Sequence, residues 1–297
     1  MSRGKQLWQV GPDGPRTLGE VLEALGVDAR ALAEGRVFVE RRRASDATEE
    51  LDVGSRVEVF AARPSEEPAW VVERADGFVI AHKPAALPTE ADRSGHACLS
   101  REIAALIGAR QVHAVSRLDV GVSGLVLLSE SRTAHQRAAR LREQGAISRA
   151  YVAIAERAPA PEHGGVSTPV EGRAARTRYA VVATGRPHQL PSGERVSPAL
   201  LTLWPETGRK HQLRLHAREL GAPLLGDRAH GGARRLGTES GSVLEVPRVM
   251  LHAARVELPR PSGEPWVVVA PPPADFAEIW LALGGGGEDL ERASAMR

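Results

Sequence analysis

The 297-residue chain contains a single cysteine, Cys98. No internal disulfide can form, and no second thiol stands near it to share a zinc ion. A small buried side chain is the ordinary role of such a residue. Cysteine usage of this kind fits a reducing interior, so the expected location is cytoplasmic. Lysine is almost as scarce, confined to Lys5, Lys83 and Lys210, and the formal net charge is only +2. A global basic excess therefore does not announce a nucleic-acid binder. No apolar run approaches the ~20 residues needed to cross a bilayer. Met1 to Lys5 leads into no apolar segment of the kind a signal peptide carries. No membrane association is expected. Aromatic residues make up 4% of the chain, and there are two tyrosines, Tyr151 and Tyr179; a tyrosine inside a motif is correspondingly informative.

Cofactor and metal signatures are also missing. No Gly-rich phosphate loop follows a strand. His211 and His216 are five apart on one expected helix, hence on different faces, and cannot form a zinc pair. No cofactor and no metal are expected.

What is present divides into three parts. Residues 1–64 read as a small module. Leu18, Val21, Leu22 and Leu25 have amphipathic helical spacing closed by Gly26. Asp28 can cap a second short helix ending at Gly35. Strands are expected at Val37–Val39 and Val57–Phe60. The order helix, helix, hairpin, with Glu34-Gly35-Arg36-Val37 at the junction, resembles the S4 RNA-binding fold, although the second helix has one basic residue, Arg30. Arg41-Arg42-Arg43 is the one dense basic run of the module. Residues 61–69, with Pro64 and Pro68, read as a linker.

Residues 65–283 form the larger part. Strands are expected around 78–82, 126–128, 147–155, 177–182, 200–204, 249–258 and 266–269. Val126 to Leu128 is a continuous apolar run, as in a strand buried on both faces. Ser131 caps a helix through Gln144, with Ala134, Ala138 and Leu141 inward. Further helices are expected over 209–220 and 274–283. Residues 185–198 and 229–247 read as long surface loops. Gly284 to Gly287 begins a tail, 284–297, expected to be disordered. Pattern alone indicates an α+β fold.

The segment Ser116-Arg117-Leu118-Asp119-Val120-Gly121-Val122-Ser123-Gly124 sets one carboxylate in a Gly- and Ser-bearing turn before an apolar strand. An Asp there ordinarily satisfies nearby backbone N–H groups. Its neighbours change that reading. Arg117-Leu118-Asp119 resembles the catalytic loop of the RluA-type pseudouridine synthases. Gly77 to Pro88, with its Lys83-Pro84 turn, is similar to that family's lead-in strand. Ile147 to Ile154 is similar to its tyrosine strand, and Glu206-Thr207-Gly208-Arg209-Lys210-His211-Gln212-Leu213-Arg214 to its arginine-bearing helix. Gly221 to Asp227 and Leu251-His252-Ala253 follow in the right order. The match runs over about residues 70–271, and several ordered motifs are far more specific than any one.

The resemblance implies a mixed, mostly antiparallel sheet with flanking helices and a central cleft. It implies an enzyme that isomerises uridine to pseudouridine in structured RNA. Asp119 becomes the catalytic carboxylate and Arg214 its pairing partner. Tyr151 becomes a platform for an extruded uracil. Lys210, Arg214 and Arg218 would share one helix face at i, i+4 and i+8. Arg117, Leu128, Arg137, Arg140, Arg149, Arg209, Lys210 and His211 are the expected substrate-binding residues; a solvated helix face would equally explain Arg137 and Arg140. Ribosomal RNA is the leading substrate expectation and transfer RNA the second, with the chain acting as a monomer. A non-catalytic RNA-binding or ribosome-assembly factor retaining the fold is the alternative. The chain departs from the family pattern at Ser116 (usually His), Val122 (usually Thr), Ala86 (commonly Gly) and Ser148 (often Lys).

Overall fold

The computed structural model describes residues 5–27, 30–33, 37–40, 42–44, 46–60, 68–91, 97–238 and 241–297. It divides into two compact units, residues 1–66 with 91–98, and residues 67–90 with 99–297. The expected helix cap at Asp28, the junction Glu34-Gly35-Arg36, Arg41 and most of the 61–69 linker lie outside the described residues.

The smaller unit contains β1 (Lys5–Gln9), α1 (Leu18–Ala24), α2 (Arg30–Ala33), β2 (Val37–Val39), β3 (Arg42–Arg43) and β4 (Arg56–Phe60). Its four strands pair antiparallel in the order β1-β4-β2-β3. Thr17 opens α1 with a capping box: its hydroxyl accepts from Glu20 N, and Glu20 accepts from Thr17 N, so two otherwise orphaned N–H groups are satisfied. Leu18, Val21 and Leu22 are buried with Val37, Val39, Val57 and Val59. The helical spacing read from sequence is thus the spacing of the core face. Strand β1 is an addition that sequence patterning did not indicate.

The larger unit begins with β5 (Trp70–Ala75), β6 (Phe78–Lys83), α3 (Leu99–Leu106), β7 (His113–Ala114) and β8 (Ser123–Ser129). It continues through α4 (Arg132–Glu143), β9 (Ser148–Ala155), β10 (His163–Val166), β11 (Thr177–Thr184), β12 (His188–Gln189), β13 (Arg195–Val196) and β14 (Ala199–Pro205). It ends with α5 (Gln212–Glu219), β15 (Arg235–Gly237), β16 (Val243–Glu245), β17 (Leu251–Pro259), β18 (Pro265–Val269), α6 (Ala274–Ala282) and α7 (Gly287–Ala295). The main sheet has the order β10-β11-β14-β9-β17-β8-β6-β5, with β18 on β17 and β7 on β8. Its pairings are antiparallel except β17 with β8. The fold is the expected mixed, mostly antiparallel sheet with flanking helices.

Strand alternation separates the two faces of the sheet. Val126, Leu128, Tyr151 and Ala153 share one core cluster with Leu118, Ile103 and Leu213. Leu125 and Leu127 face the other way, toward Ala134 and Ala138 of α4. Val152 and Ile154 likewise face Phe276, Trp280 and Leu290 of α6 and α7. At the parallel pairing Gly124 lies opposite Ala253 with φ +117, and a Cβ there would stand 2.3 Å from the Ala253 carbonyl oxygen. Only glycine permits that approach.

Two sequence expectations are corrected. The segments 185–198 and 229–247, read as loops, carry β12, β13, β15 and β16, which join as a second sheet in the order β13-β12-β15-β16. Strands of two or three residues are too short to show alternation, and their pairing of Gln189 with Gly237 is invisible locally. The tail 284–297, expected to be disordered, carries α7. Its glycines serve packing: a Cβ on Gly285 would stand 2.0 Å from the Trp280 indole. Asp289 accepts from Gly286 N at 2.8 Å and from Trp280 Nε1 at 3.3 Å, and Thr202 Oγ1 donates to the Ala293 carbonyl at 3.0 Å.

Behind the sheet's centre lies a buried imidazole pair. His252 Nε2–H donates to the Ala270 carbonyl at 3.2 Å, so its Nδ1 accepts from the Ser123 hydroxyl at 3.0 Å. His82 stacks on Trp70 at 3.8 Å, and its Nδ1 is buried without a hydrogen-bond partner. Burial lowers His252 to about 3, with His82 and Arg248 adding to the effect. Burial, Lys83 and Arg248 lower His82 to about 4.

Deleting residues 287–297 is expected to cost about 3 kcal/mol or more, because it removes buried Leu290 and uncovers Trp280; an unchanged melting temperature would restore the disordered tail. Both histidines bind protons more readily unfolded than folded. Stability should therefore fall as pH drops from about 6.5 toward 4, by on the order of 3 kcal/mol per histidine. Chemical denaturation across that range checks this, with His82→Leu expected to flatten the dependence.

Candidate active site

Asp119 sits in the turn between β7 and β8, closed by Val122 N donating to the Asp119 carbonyl at 3.0 Å. The turn is clamped on both sides of that residue. Thr89 exchanges two bonds with Leu118, Oγ1 donating to its carbonyl at 3.0 Å and accepting from its N–H at 3.1 Å. The Val120 carbonyl accepts from Ala86 N at 2.7 Å and from Lys83 Nζ at 3.4 Å. Lys83 is fully buried and also donates to the carbonyls of Pro84 and Leu87, at 2.9 and 2.8 Å. Burial brings its amine down to about 7; the Arg248 charge adds to this and Asp119 opposes it. Ala86 adopts φ +71, the left-handed region that favours glycine, which is a physical reason for the glycine common at this position. Val122, replacing the usual Thr, is buried among Leu118, Leu128 and Tyr151; its branched side chain fills the core there.

Arg214 reaches this carboxylate from α5. Its Nη1 donates to Asp119 Oδ2 at 2.9 Å. The other edge of the guanidinium is held by Asp227, Nε to Oδ2 at 2.7 Å and Nη2 to Oδ1 at 2.5 Å. The side chains of Arg214 and Asp227 are 11% and 1% exposed, and that of Asp119 27%. One guanidinium thus bridges a sheltered carboxylate and an accessible one. Burial works against the charge on Arg214, but hydrogen bonds to Asp227 and Asp119 outweigh it and raise its pKa. A planar fork can make this bridge, and a single ammonium cannot.

The helix that presents Arg214 begins later than expected, at Gln212. Buried Gln212 accepts from Thr207 Oγ1 at 2.7 Å and Arg209 N at 3.0 Å, and donates to the Arg176 carbonyl at 2.8 Å and Thr177 Oγ1 at 3.0 Å. His211 before it is left-handed, at φ +56. Lys210 is therefore exposed in the preceding turn and does not share a helix face with Arg214 and Arg218, which corrects the expected stripe. His216 is buried inside α5, accepting from Thr177 Oγ1 at 2.9 Å and donating to the Thr168 carbonyl at 3.0 Å.

The remaining candidates divide. Tyr151 is buried on β9, in the same cluster as Leu118, Leu128 and Leu213, the chain neighbours of the acid and the guanidinium among them. Arg149 lies two residues away on the same face, its guanidinium 3.7 Å from a Cβ built on Gly208. Arg117 is 73% exposed, with Glu90 3.6 Å away. Arg209 Nε donates to the Ala174 carbonyl at 3.0 Å. His211 Nε2 stands 3.7 Å from Asp119 Oδ2. Arg137 and Arg140 do not join this group. They lie on α4, which covers the opposite face; Arg137 rests 5.2 Å from the Phe78 ring centroid and donates to the Pro259 carbonyl. The structure thus sets these two apart from Asp119 and Arg214.

Sequence reasoning missed Asp227, Lys83, Thr89, Gln212 and His230. Asp227, Lys83 and Gln212 lay within the motif segments, and Lys83 is one of three lysines; nothing local marked Thr89. Among the described residues, no group of three His, Cys, Asp or Glu side chains is placed to hold a metal ion.

Comparison with known proteins gives a consistent picture. The family described as RNA pseudouridylate synthase matches residues 77–219. An uncharacterised RNA pseudouridine synthase of Zymomonas mobilis is 31% identical over 220 residues, covering 68% of this chain and 92% of the relative. The ribosomal large subunit pseudouridine synthase D of Nitrosomonas europaea is 34% identical over 175 residues, covering 57% of this chain and 50% of the relative. The structure of human RNA pseudouridylate synthase domain containing 4 superposes with a TM-score of 0.56 at 22% identity, covering 72% of this chain and 92% of that one.

Replacing Arg214 by lysine is expected to lower turnover about 100-fold or more, the order seen when one donor to a reacting oxyanion is removed. Asp227→Asn should cost about 3 kcal/mol of stability, because it takes from a buried guanidinium the charged partner that accepts two of its N–H groups. Wild-type turnover in Arg214→Lys, alongside an inactive Asp119→Asn, would show that the bridge is dispensable.

Proposed function

Because the chain belongs to the RNA pseudouridine synthase family of the RluA type, a class of isomerases, we propose that it converts specific uridines of ribosomal RNA to pseudouridine, with Asp119 as the reacting carboxylate. The reaction breaks the bond between N1 of uracil and C1′ of ribose, turns the base, and joins C5 to C1′. A carboxylate held at a fixed angle serves such a step as nucleophile or proton acceptor. The observation that carries this reading is the 2.9 Å bond from Arg214 to Asp119, with Arg214 itself locked on Asp227.

Arg214 aims Asp119, donating to its Oδ2 from a guanidinium that Asp227 holds in place. Tyr151 supplies the ring against which the everted uracil stacks. Arg117, Arg149, Arg209 and Lys210 offer cations near the acid for the phosphates on either side of the target nucleotide. Leu128 packs behind the pocket. Ribosomal RNA is favoured over transfer RNA because the Nitrosomonas relative is a ribosomal large subunit pseudouridine synthase. The succession α1, α2 and the β2–β4 sheet supports an S4-like role in RNA binding for the smaller unit. The enzyme acts as a monomer in the cytoplasm.

Expressed in cells lacking their own synthases, the protein should produce a new pseudouridine in total RNA that disappears with Asp119→Ala; mapping the modification names the substrate. A new site in transfer RNA alone would overturn the ribosomal assignment. Tyr151→Phe should bind that RNA normally yet yield little product, whereas unchanged kinetics would leave Tyr151 as packing. Removing residues 1–64 should weaken activity on full-length RNA, and undiminished activity would deny the smaller unit a targeting role.

A further inference from the structure

Two imidazoles stand in series beside Asp119. His211 Nε2 is 3.7 Å from Asp119 Oδ2. The other ring nitrogen of His211, Nδ1, is 3.0 Å from His230 Nε2. The rings meet edge to face, with centroids 5.0 Å apart at 73°. His230 closes the short 3-10 turn Arg228–His230 that follows Asp227. The two segments that lock Arg214 to Asp227 therefore also bring these rings together. His211 precedes α5 in the left-handed conformation yet makes no side-chain cap bond to the helix. A non-glycine residue held there is strained, and its ring is committed to neighbours other than the helix N–H groups.

The direction of the bond follows from electrostatics. Burial holds His230 below its ordinary value, with Asp227 opposing and Arg214, His211 and Arg218 reinforcing. A neutral His230 has one N–H to give. If His211 were the donor through Nδ1, its bare Nε2 lone pair would face the Asp119 carboxylate, two electron-rich atoms against each other. With His230 as donor, His211 carries its proton on Nε2, toward the carboxylate. The tautomer of an imidazole is set by the bond its other nitrogen makes.

We propose that His230 is a positioning residue, donating from Nε2 to His211 Nδ1 and so keeping His211 as the Nε2–H tautomer that offers Asp119 a second N–H beside that of Arg214. This rests on the reading of Asp119 as the reacting carboxylate. It differs from that reading in placing part of the control over the acid two side chains away, on the turn after Asp227.

The test combines a spectroscopic and a kinetic measurement on the full chain. Nitrogen-15 spectra of the wild-type protein should show the His211 proton on Nε2. His230→Phe, which cannot donate, should lose that tautomer preference and lower kcat about tenfold, the equivalent of one hydrogen bond, with KM for the RNA unchanged. His230→Gln, whose carboxamide can donate to the same nitrogen, should restore both. A wild-type His211 protonated on Nδ1, or equal kcat in the Phe and Gln variants, overturns the inference. An Asp119→Ala control in the same assay separates the two ideas. Product that does not depend on Asp119 defeats the reading of the site, whereas the tautomer is measured on the free protein without reference to turnover.

Discussion

The arrangement around Asp119 depends on one guanidinium shared between two carboxylates. A single buried ion pair is a poor source of stability, since desolvation offsets most of its attraction. Here the buried partner, Asp227, takes two donors of Arg214 and leaves a third for an acid that water can reach. Desolvation is compensated largely inside the protein, and the orientation gained is presented at the surface. Arg214 can be fixed in this way because Gln212 anchors the helix start to β11 and the preceding turn through four hydrogen bonds, to Thr207, Arg209, Arg176 and Thr177. The acid is held equally firmly from its own side, by Thr89 on Leu118 and by Lys83 and Ala86 on Val120. Preorganisation of this kind is what lets a charged group act without reorganising during a reaction.

The sheet assigns different work to its two faces. Leu118, Leu128, Tyr151 and Leu213 fill one face, and Asp119 and Arg214 directly follow two of these residues in the chain. The other face is closed by α4, α6 and α7. That division follows from the two-residue period of the strands: Leu127 and Leu128 are chain neighbours but belong to different cores. It also decides which arginines can take part. Arg149 shares a face with Tyr151, while Arg137 belongs to the far side by virtue of its helix.

Much of this was legible in the sequence where local chemistry suffices. Ser131 and Gln144 bound α4 as its cap and C-cap, because a hydroxyl cap and an inward alanine stripe are short-range signals. The apolar run at Val126–Leu128 marked a buried strand. Asp119 and Arg214 were found through ordered motifs and proved to be hydrogen-bonded partners 95 residues apart. What stayed hidden depends on distant partners. Asp227 looks like any turn aspartate until Arg214 arrives. The strands at 188–189 and 235–237 exist because they pair with each other. The glycines at 284–287 read as flexibility, yet Gly285 is small because Trp280 lies against it. Lys210 fell off the helix because of the left-handed His211, a backbone state that no side-chain periodicity reveals.

The scarcity of lysine has a practical consequence. Across residues 67–90 and 99–297 the side-chain amines are Lys83 and Lys210 alone. Lys83 is sealed in the interior with its ammonium directed at three carbonyls. Lys210 is exposed, one residue from His211. An acylating dye or photo-crosslinker therefore finds one side-chain amine on this unit, at the rim of the carboxylate's surroundings. Attached there, without any engineered thiol, a fluorophore would sense whatever polymer comes to rest beside the acid.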